Sequence, residues 1–241
     1  MTLSITGKTA IVTGAASGIG LAIGRHFAEK NANVMFVDID EVGLIANLVS
    51  ATIDAFDEVN ILVNGVRQVV VSDPLDPEDD TMMDLLGQNL MPALRLSQLV
   101  AKRMIKQADG HEARQAGSII NLSSIAAQRT HPKLLAYSVS SAALDQMTRS
   151  LAVALAPYGI RVNAVAMGSV MSASLKSTLK GNREHRKGIE QHTPLSRIAS
   201  PCELTDAVQY LASDGSSFMT GQILTVDGGR VLLDPVAAPA H

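Results

Sequence analysis

Thr13-Gly14-Ala15-Ala16-Ser17-Gly18-Ile19-Gly20 joins an apolar run, Thr9 to Val12, to an amphipathic run, Leu21 to Glu29. Strand, tight glycine turn and helix, in that order, make a cradle for a phosphate. Glycine at 14, 18 and 20 lets the backbone take angles closed to other residues, and lets a ligand approach without a Cβ in the way. A helix that opens near Ser17 aims unpaired N–H groups at an anion. A nucleotide is the natural guest of such a loop, although three glycines at this spacing also serve ordinary strand-to-helix turns. The residues around the loop have to decide.

On the near side, Lys8 to Thr13 is almost continuously apolar, as expected for a parallel strand covered on both faces. Beyond the loop, Ile19, Ala22, Ile23 and Phe27 recur at helical spacing over Ile19 to Lys30 and predict the crossover helix. Asn33 to Asp38 then reads as a second strand ending in an acid. Asp38 lies about 20 residues past the glycines, where a carboxylate can accept both ribose hydroxyls of an adenosine and would repel a 2′-phosphate. That points to NAD rather than NADP.

The 241 residues fit one large α/β domain, with a core of Val, Ile, Leu, Ala and Met implied by 46% apolar content and only 3% aromatics. A net charge of −3 and the absence of long Lys/Arg blocks offer no footprint for nucleic acid or an anionic membrane. A small molecule is the expected partner. The single cysteine, Cys202, excludes an internal disulfide and reads as a buried small hydrophobe. Met1 to Lys8 lack the pattern of a secretory leader and the apolar stretches fall short of a membrane span, so a cytoplasmic location is expected.

Between Ile39 and Asn60 there is room for one helix, Val42 to Phe56, before the strand Ile61 to Asn64. A doubly wound sheet normally places a further strand with its crossover here, so the third strand reads as missing or omitted from the chain. In the order 3-2-1-4-5-6 that strand is at the edge, where its loss leaves the second strand exposed or covered by something else. Val69 to Asp84 reads as a surface loop. Gln88 to Ile105 reads as one long helix, apolar on more than one face, and hence buried or at an oligomer surface. A polar loop, Asp109 to Gly117, leads into the strand Ser118 to Leu122.

Strand, then Ser123-Ser124, then Tyr137 at the start of a helix, is the arrangement that carries chemistry. Thr13-Gly14-x-x-x-Gly18-x-Gly20, Asn121-Leu122-Ser123-Ser124, Tyr137-x-x-Ser140 and Arg161-Val162-Asn163-Ala164-Val165 together resemble the short-chain dehydrogenase/reductase family, over Leu3 to about Gly229. The chain is most similar in feel to the family's bacterial β-ketoacyl-carrier-protein reductases. The resemblance implies a single-domain Rossmann-type fold, a doubly wound parallel sheet with helices on both faces, spanning residues 1–229. It implies Tyr137 as the acid/base at the substrate oxygen, Ser124 as that oxygen's hydrogen-bond donor and Asn89 as the residue that steadies a proton-relay water. A hydride arriving at a carbonyl leaves an alkoxide that needs one donor to stabilise it and one to protonate it. Gly14, Ser17, Gly18, Ile19, Gly20, Asp38, Asn64, Tyr137, Gly168 and Ser172 are the implied cofactor contacts, and a homotetramer or dimer the implied assembly.

Three departures stand against the family pattern. Its lysine, four residues after the tyrosine on the same helix face, is Ser141, which can offer the ribose one hydrogen bond but no charge. A phenol without a neighbouring cation is a poor acid/base near neutrality, and Lys133 or Arg129 in the preceding loop are the cations within reach as replacements. The family's Asn-Asn-Ala-Gly appears as Asn64-Gly65-Val66-Arg67, so that Arg67 must clash with the cofactor, turn outward or pair with an acid. Its Pro-Gly appears as Met167-Gly168.

Residues 172–200 carry Lys176, Lys180, Arg183, Arg186, Lys187 and Arg197 against Glu184 and Glu190, and read as a lid over the substrate. Excess positive charge there suits an acyl-carrier or CoA thioester, or simply solvent. His185 and His192 lack a third ligand, so no metal is expected. Pro201 opens the last helix, Pro201 to Leu211, the final strand lies within Gly221 to Gly229, and 230–241 reads as an extended tail. Two functions remain open. One is an oxidoreductase using NAD(P), on a ketone or secondary alcohol, 3-oxoacyl thioesters included. The other is a catalytically weak or silent member acting as a cofactor-binding regulatory or partner subunit.

Overall fold

The computed structural model describes residues 2–38, 45–108 and 115–234. Six strands form one parallel sheet: β1 (Thr9–Thr13), β2 (Asn33–Val37), β3 (Ile61–Asn64), β4 (Gly117–Ser124), β5 (Ile160–Met167) and β6 (Ile223–Val226). Their order is β2-β1-β3-β4-β5-β6, so the chain runs outward to β2 and then returns past β1 to β3. Ligands of open parallel sheets bind where the order reverses, outside the carboxyl ends of the strands. The glycine turn after β1 sits at that reversal.

Alternation along each strand divides the core. Ile11, Leu62, Ile119 and Val162 are register partners in a row across four strands. Their side chains pack on Leu96, Val100 and Met104 of α4 (Met91–Ala108) and on Ala152 of α5 (Leu135–Leu155). On the opposite face Ala10, Val12, Val63, Ile120 and Val165 meet Ile23 and Phe27 of α1 (Gly18–Glu29) and Leu204, Val208 and Leu211 of the helix Cys202–Ala212. Both faces are therefore dry, and near-continuous apolar strands are what such a sheet requires.

Among the described residues no strand lies between β2 and β3, in keeping with the missing third strand. The intervening helix, α2, spans Ile45–Phe56; its expected start at Val42 falls outside the described residues. β2 is consequently an edge strand, half-buried where the inner strands are fully buried. The expectation of one long helix fails. The long helix expected from Gln88 is two helices, α3 (Thr81–Asn89) and α4, that part at Leu90. Pro92 has no N–H to give to the Gln88 carbonyl, while Leu90 N and Leu94 N still make helical bonds on either side.

After β5, the 172–200 segment holds α6 (Ala173–Thr178) and α7 (Arg183–Gln191), and its base is fastened by a bridge between Val170 and Ala199. The chain then enters α8, Cys202–Ala212, with Pro201 ahead of its first turn and Cys202 exposed rather than buried. Of the tail, Arg230–Leu232 make one 3-10 turn, and Arg129 donates to the carbonyls of Val231 and Leu233. No described helix is long and apolar enough to cross a membrane.

Candidate active site

Gly14 and Gly18 both take positive φ, +66° and +58°, a region closed to most side chains. A Cβ on Gly14 would lie 2.7 Å from the Gly65 carbonyl oxygen, and one on Gly20 would run into the carbonyl of Gly14 itself. The turn is thus folded against the loop that follows β3, where Gly65 N donates to Thr13 Oγ1 at 2.9 Å. Gly18 has a different neighbour: the nearest atom to a Cβ built there is Cβ of Ser172, at 3.9 Å. Ser17 precedes α1 and makes no side-chain cap, which leaves the first N–H groups of the helix to an anion. These residues fit a dinucleotide's phosphates.

Asp38 follows β2 directly and is exposed. Ala15 N donates to the Val37 carbonyl at 2.9 Å, which holds the end of β2 beside the turn. Ile19, by contrast, is partly buried against the core. The Asn64 amide nitrogen is engaged inward. Its amide nitrogen donates to Asn121 Oδ1 (2.8 Å) and Ser97 Oγ (3.1 Å), and Asn121 in turn donates to Thr148 Oγ1 on α5. This buried ladder of polar groups ties β3, β4, α4 and α5 together beneath the site, and Asn64 Oδ1 is left without a partner. Gly168 is demanded by the chain that leaves β6, since a Cβ there would come within 2.8 Å of Asp227 Cβ. Ser172 caps α6, accepting from Leu175 N at 3.2 Å.

The catalytic candidates converge on one small cluster. Tyr137, near the start of α5, packs with Leu85 of α3 and with Ala126, in the turn that follows β4. Ser124, the last residue of β4, accepts a hydrogen bond from Ala126 N at 3.1 Å, so its own proton remains available to a substrate oxygen. The Tyr137 hydroxyl is buried and has no hydrogen-bond partner. Asn89 closes α3 one turn beyond Leu85. Its amide nitrogen donates to the Gln68 carbonyl (2.9 Å) and its oxygen accepts from Gln68 N (2.8 Å), clamping the loop after β3.

The departures resolve differently from expectation. Ser141 Oγ donates to the Tyr137 carbonyl at 2.8 Å, one turn back on the same helix, so its proton is engaged within α5 rather than offered to a ribose. Arg129 is committed to the tail, and Lys133 is exposed. Arg67 neither turns outward nor pairs with an acid. Its Nη1 donates to the Ser123 carbonyl at 2.7 Å, and its guanidinium lies over the Tyr137 ring, 5.3 Å from the centroid. Sequence reasoning missed this contact; the available signal was a cation placed immediately after a strand whose carboxyl end faces the site.

Asp145, two turns after Tyr137 on α5, is buried, and burial raises its carboxyl above the ordinary value. The Ser123 hydroxyl and the Arg149 charge oppose that rise, but Ser123 Oγ and Asp145 Oδ1 make no well-formed bond. A carboxyl raised in the folded state favours folding fully only below its unfolded value, and loses that contribution as pH rises through its folded value. Asp145→Asn is therefore expected to stabilise the protein at pH 7 by about 1–3 kcal/mol. The gain should vanish below about pH 4, where both proteins are neutral at this position. Paired thermal melts at pH 7 and pH 3.5 check it; an equal or lower midpoint at pH 7 contradicts it.

Comparison with known proteins bears on the family and the fold. Residues 38–230 match the family model described as Enoyl-(Acyl carrier protein) reductase, and residues 8–45 match that described as short chain dehydrogenase. An uncharacterized oxidoreductase of Thermotoga maritima is 32% identical over 254 residues, covering 94% of this chain and 98% of the relative. That alignment is longer than the chain, so the relative carries residues this protein lacks. The 7alpha-hydroxysteroid dehydrogenase of Escherichia coli K12 is 31% identical over 95% of this chain and 96% of its own. Among solved structures, the ligand-free aldohexose dehydrogenase of Thermoplasma acidophilum superposes with a TM-score of 0.87 at 25% identity, covering 96% of this chain and 97% of that one. The fold and these matches lead to one conclusion: the chain belongs to the short-chain dehydrogenase/reductase family of oxidoreductases that use a nicotinamide cofactor.

Proposed function

We propose that the protein moves a hydride between NAD(H) and a ketone or secondary alcohol, with Tyr137 as acid/base and Ser124 as the donor that orients the substrate oxygen. The observation that carries this is the pair of hydroxyl protons at the carboxyl end of β4. Ser124 Oγ accepts from Ala126 N and keeps its proton, and the Tyr137 hydroxyl has no competing partner. The nicotinamide, when bound, supplies or removes the hydride. Gly14, Ser17, Gly18, Ile19 and Gly20 hold the pyrophosphate, Asp38 the adenosine ribose, and Ser172, beside Gly18, the nicotinamide end. Asn64 and Gly168 hold the strands that line the crevice. Asn89 positions the loop after β3.

For the substrate, the 172–200 segment is the variable part and acts as the lid. Two of its six cations are neutralised, Arg186 by Glu190 and Arg197 by Glu203. Lys176, Lys180, Arg183 and Lys187 remain on the exposed surface, which favours an anionic substrate such as a 3-oxoacyl thioester. A second copy of the chain is the expected partner, across the hollow lined by Leu99, Ile105, Leu151 and Leu155 on α4 and α5.

Fluorescence titration tests the cofactor assignment. NADH binds more tightly than NADPH, and Asp38→Asn narrows the difference about tenfold, the size of one like-charge contact near a protein surface. Tighter NADPH binding by the wild type refutes the assignment. Turnover is then sought with 3-oxoacyl thioesters beside uncharged ketones and secondary alcohols.

A further inference from the structure

The loop after β3 delivers a cation to the reacting phenol. We propose that Arg67 supplies the positive charge that stabilises the Tyr137 phenolate left when its proton passes to the substrate oxygen, a role that rests on the reading of Tyr137 as acid/base. Three observations carry it. The guanidinium lies 5.3 Å from the centre of the Tyr137 ring, close enough for a cation–π contact. Its Nη1 is fixed by the Ser123 carbonyl at 2.7 Å, one residue from Ser124. The Tyr137 hydroxyl is buried with no hydrogen-bond partner, and among the described residues no other cation rests on its ring.

The chemistry follows from where the charge goes. In the reducing direction the Tyr137 O–H bond breaks, its proton passes to the substrate oxygen, and the electron pair stays on the phenolate; the hydride comes from the reduced nicotinamide. Solvent returns the proton afterwards. Phenolate charge spreads over the ring carbons as well as the oxygen, so a cation resting on the ring face stabilises it even without touching the oxygen. A buried phenolate without such a partner carries a large desolvation penalty.

The other charged groups around Tyr137 do not do this. β4 and the turn at 125–127 contain no titratable side chain. Asp84 on α3 is exposed, as are His131 and Lys133 in the loop before α5. Asp145 on α5 is held towards its neutral form by burial, which leaves the guanidinium's charge available to the ring. Ser141, whose hydroxyl bonds the Tyr137 carbonyl, contributes no charge.

The test uses Arg67→Gln, Arg67→Lys and the double variant Arg67→Gln/Ser141→Lys, each first shown by melting to be folded. The chain has three tyrosines, so pH titration of the free protein labelled with ¹³Cζ-tyrosine resolves each ring, and Tyr137→Phe identifies the Tyr137 signal. Arg67→Gln moves the ionisation of Tyr137 to higher pH; Arg67→Lys restores part of the shift, and a lysine at 141 restores it in the double variant. With a substrate in hand, Arg67→Gln lowers kcat/KM at neutral pH about tenfold, the scale of a desolvated cation–π contact, and the deficit shrinks as pH rises. An unmoved Tyr137 titration overturns the proposal. So does faster turnover in Arg67→Gln, which makes the arginine a plug over the site. If Tyr137→Phe keeps full turnover, the acid/base reading itself falls and takes the role of Arg67 with it. An inactive Tyr137→Phe with an unmoved titration overturns Arg67 alone.

Discussion

Tyr137→Phe abolishes most turnover and leaves the fold intact. On the proposed reading the hydroxyl exchanges a proton with a substrate oxygen oriented by Ser124, and a positioned acid/base is worth about 10²- to 10⁴-fold in rate. Its removal costs the folded protein no hydrogen bond, because the buried oxygen has no partner. Loss of an unsatisfied polar atom is neutral or stabilising. The two effects therefore separate: kcat falls by at least two orders of magnitude while the thermal midpoint stays at or above that of the wild type. A variant with both activity and stability reduced would show that Tyr137 serves packing, and one with full activity would remove it from the mechanism.

Gly20→Ala acts on the cradle itself. Its Cβ is aimed at the carbonyl of Gly14, a backbone atom that cannot swing aside, and the turn must open to admit it. Overpacking of this kind costs about 1–3 kcal/mol, which for a chain of this size lowers the midpoint by roughly 2–4 °C per kcal/mol. The larger effect falls on binding, since the first turn of α1 moves away from the phosphates: dinucleotide affinity drops by at least tenfold by the same titration. Gly18→Ala is the contrasting case. It meets only Ser172 at 3.9 Å and suffers from its positive φ alone. If Gly20→Ala binds NADH as the wild type does, the turn is not the phosphate site.

Most of the architecture was legible because both faces of the sheet are covered. Covered strands read as unbroken apolar runs, and β1 and β3 begin and end within a residue of where the pattern places them. The missing or omitted third strand was legible from the short span between Ile39 and Asn60. What misled was local chemistry with two meanings. Gln88 to Ile105 keeps helical spacing across Pro92, whose missing donor parts the helix at Leu90 without disturbing the pattern of apolar residues. At the site, residue types fixed Ser124 and Tyr137, but the commitments of Ser141, Asn64 and Asn89 could not be read from spacing, because each depends on which backbone or side chain the fold brings opposite. Arg67 is the clearest case. Its partners, Ser123 and Tyr137, lie 56 and 70 positions away in the sequence, and only the return of the chain from β3 to β4 and α5 closes that gap.

The shortened crossover also bears on how copies of the chain meet. β2 hydrogen-bonds to β1 on one side, and among the described residues no strand covers the other, with Phe36 42% exposed. An uncovered strand edge is a template for pairing between molecules. Here it is limited to five residues and is followed at once by the charge of Asp38. The carboxylate proposed for the ribose thus also discourages a foreign strand from docking beside β2, and replacing it is expected to change colloidal behaviour alongside cofactor choice.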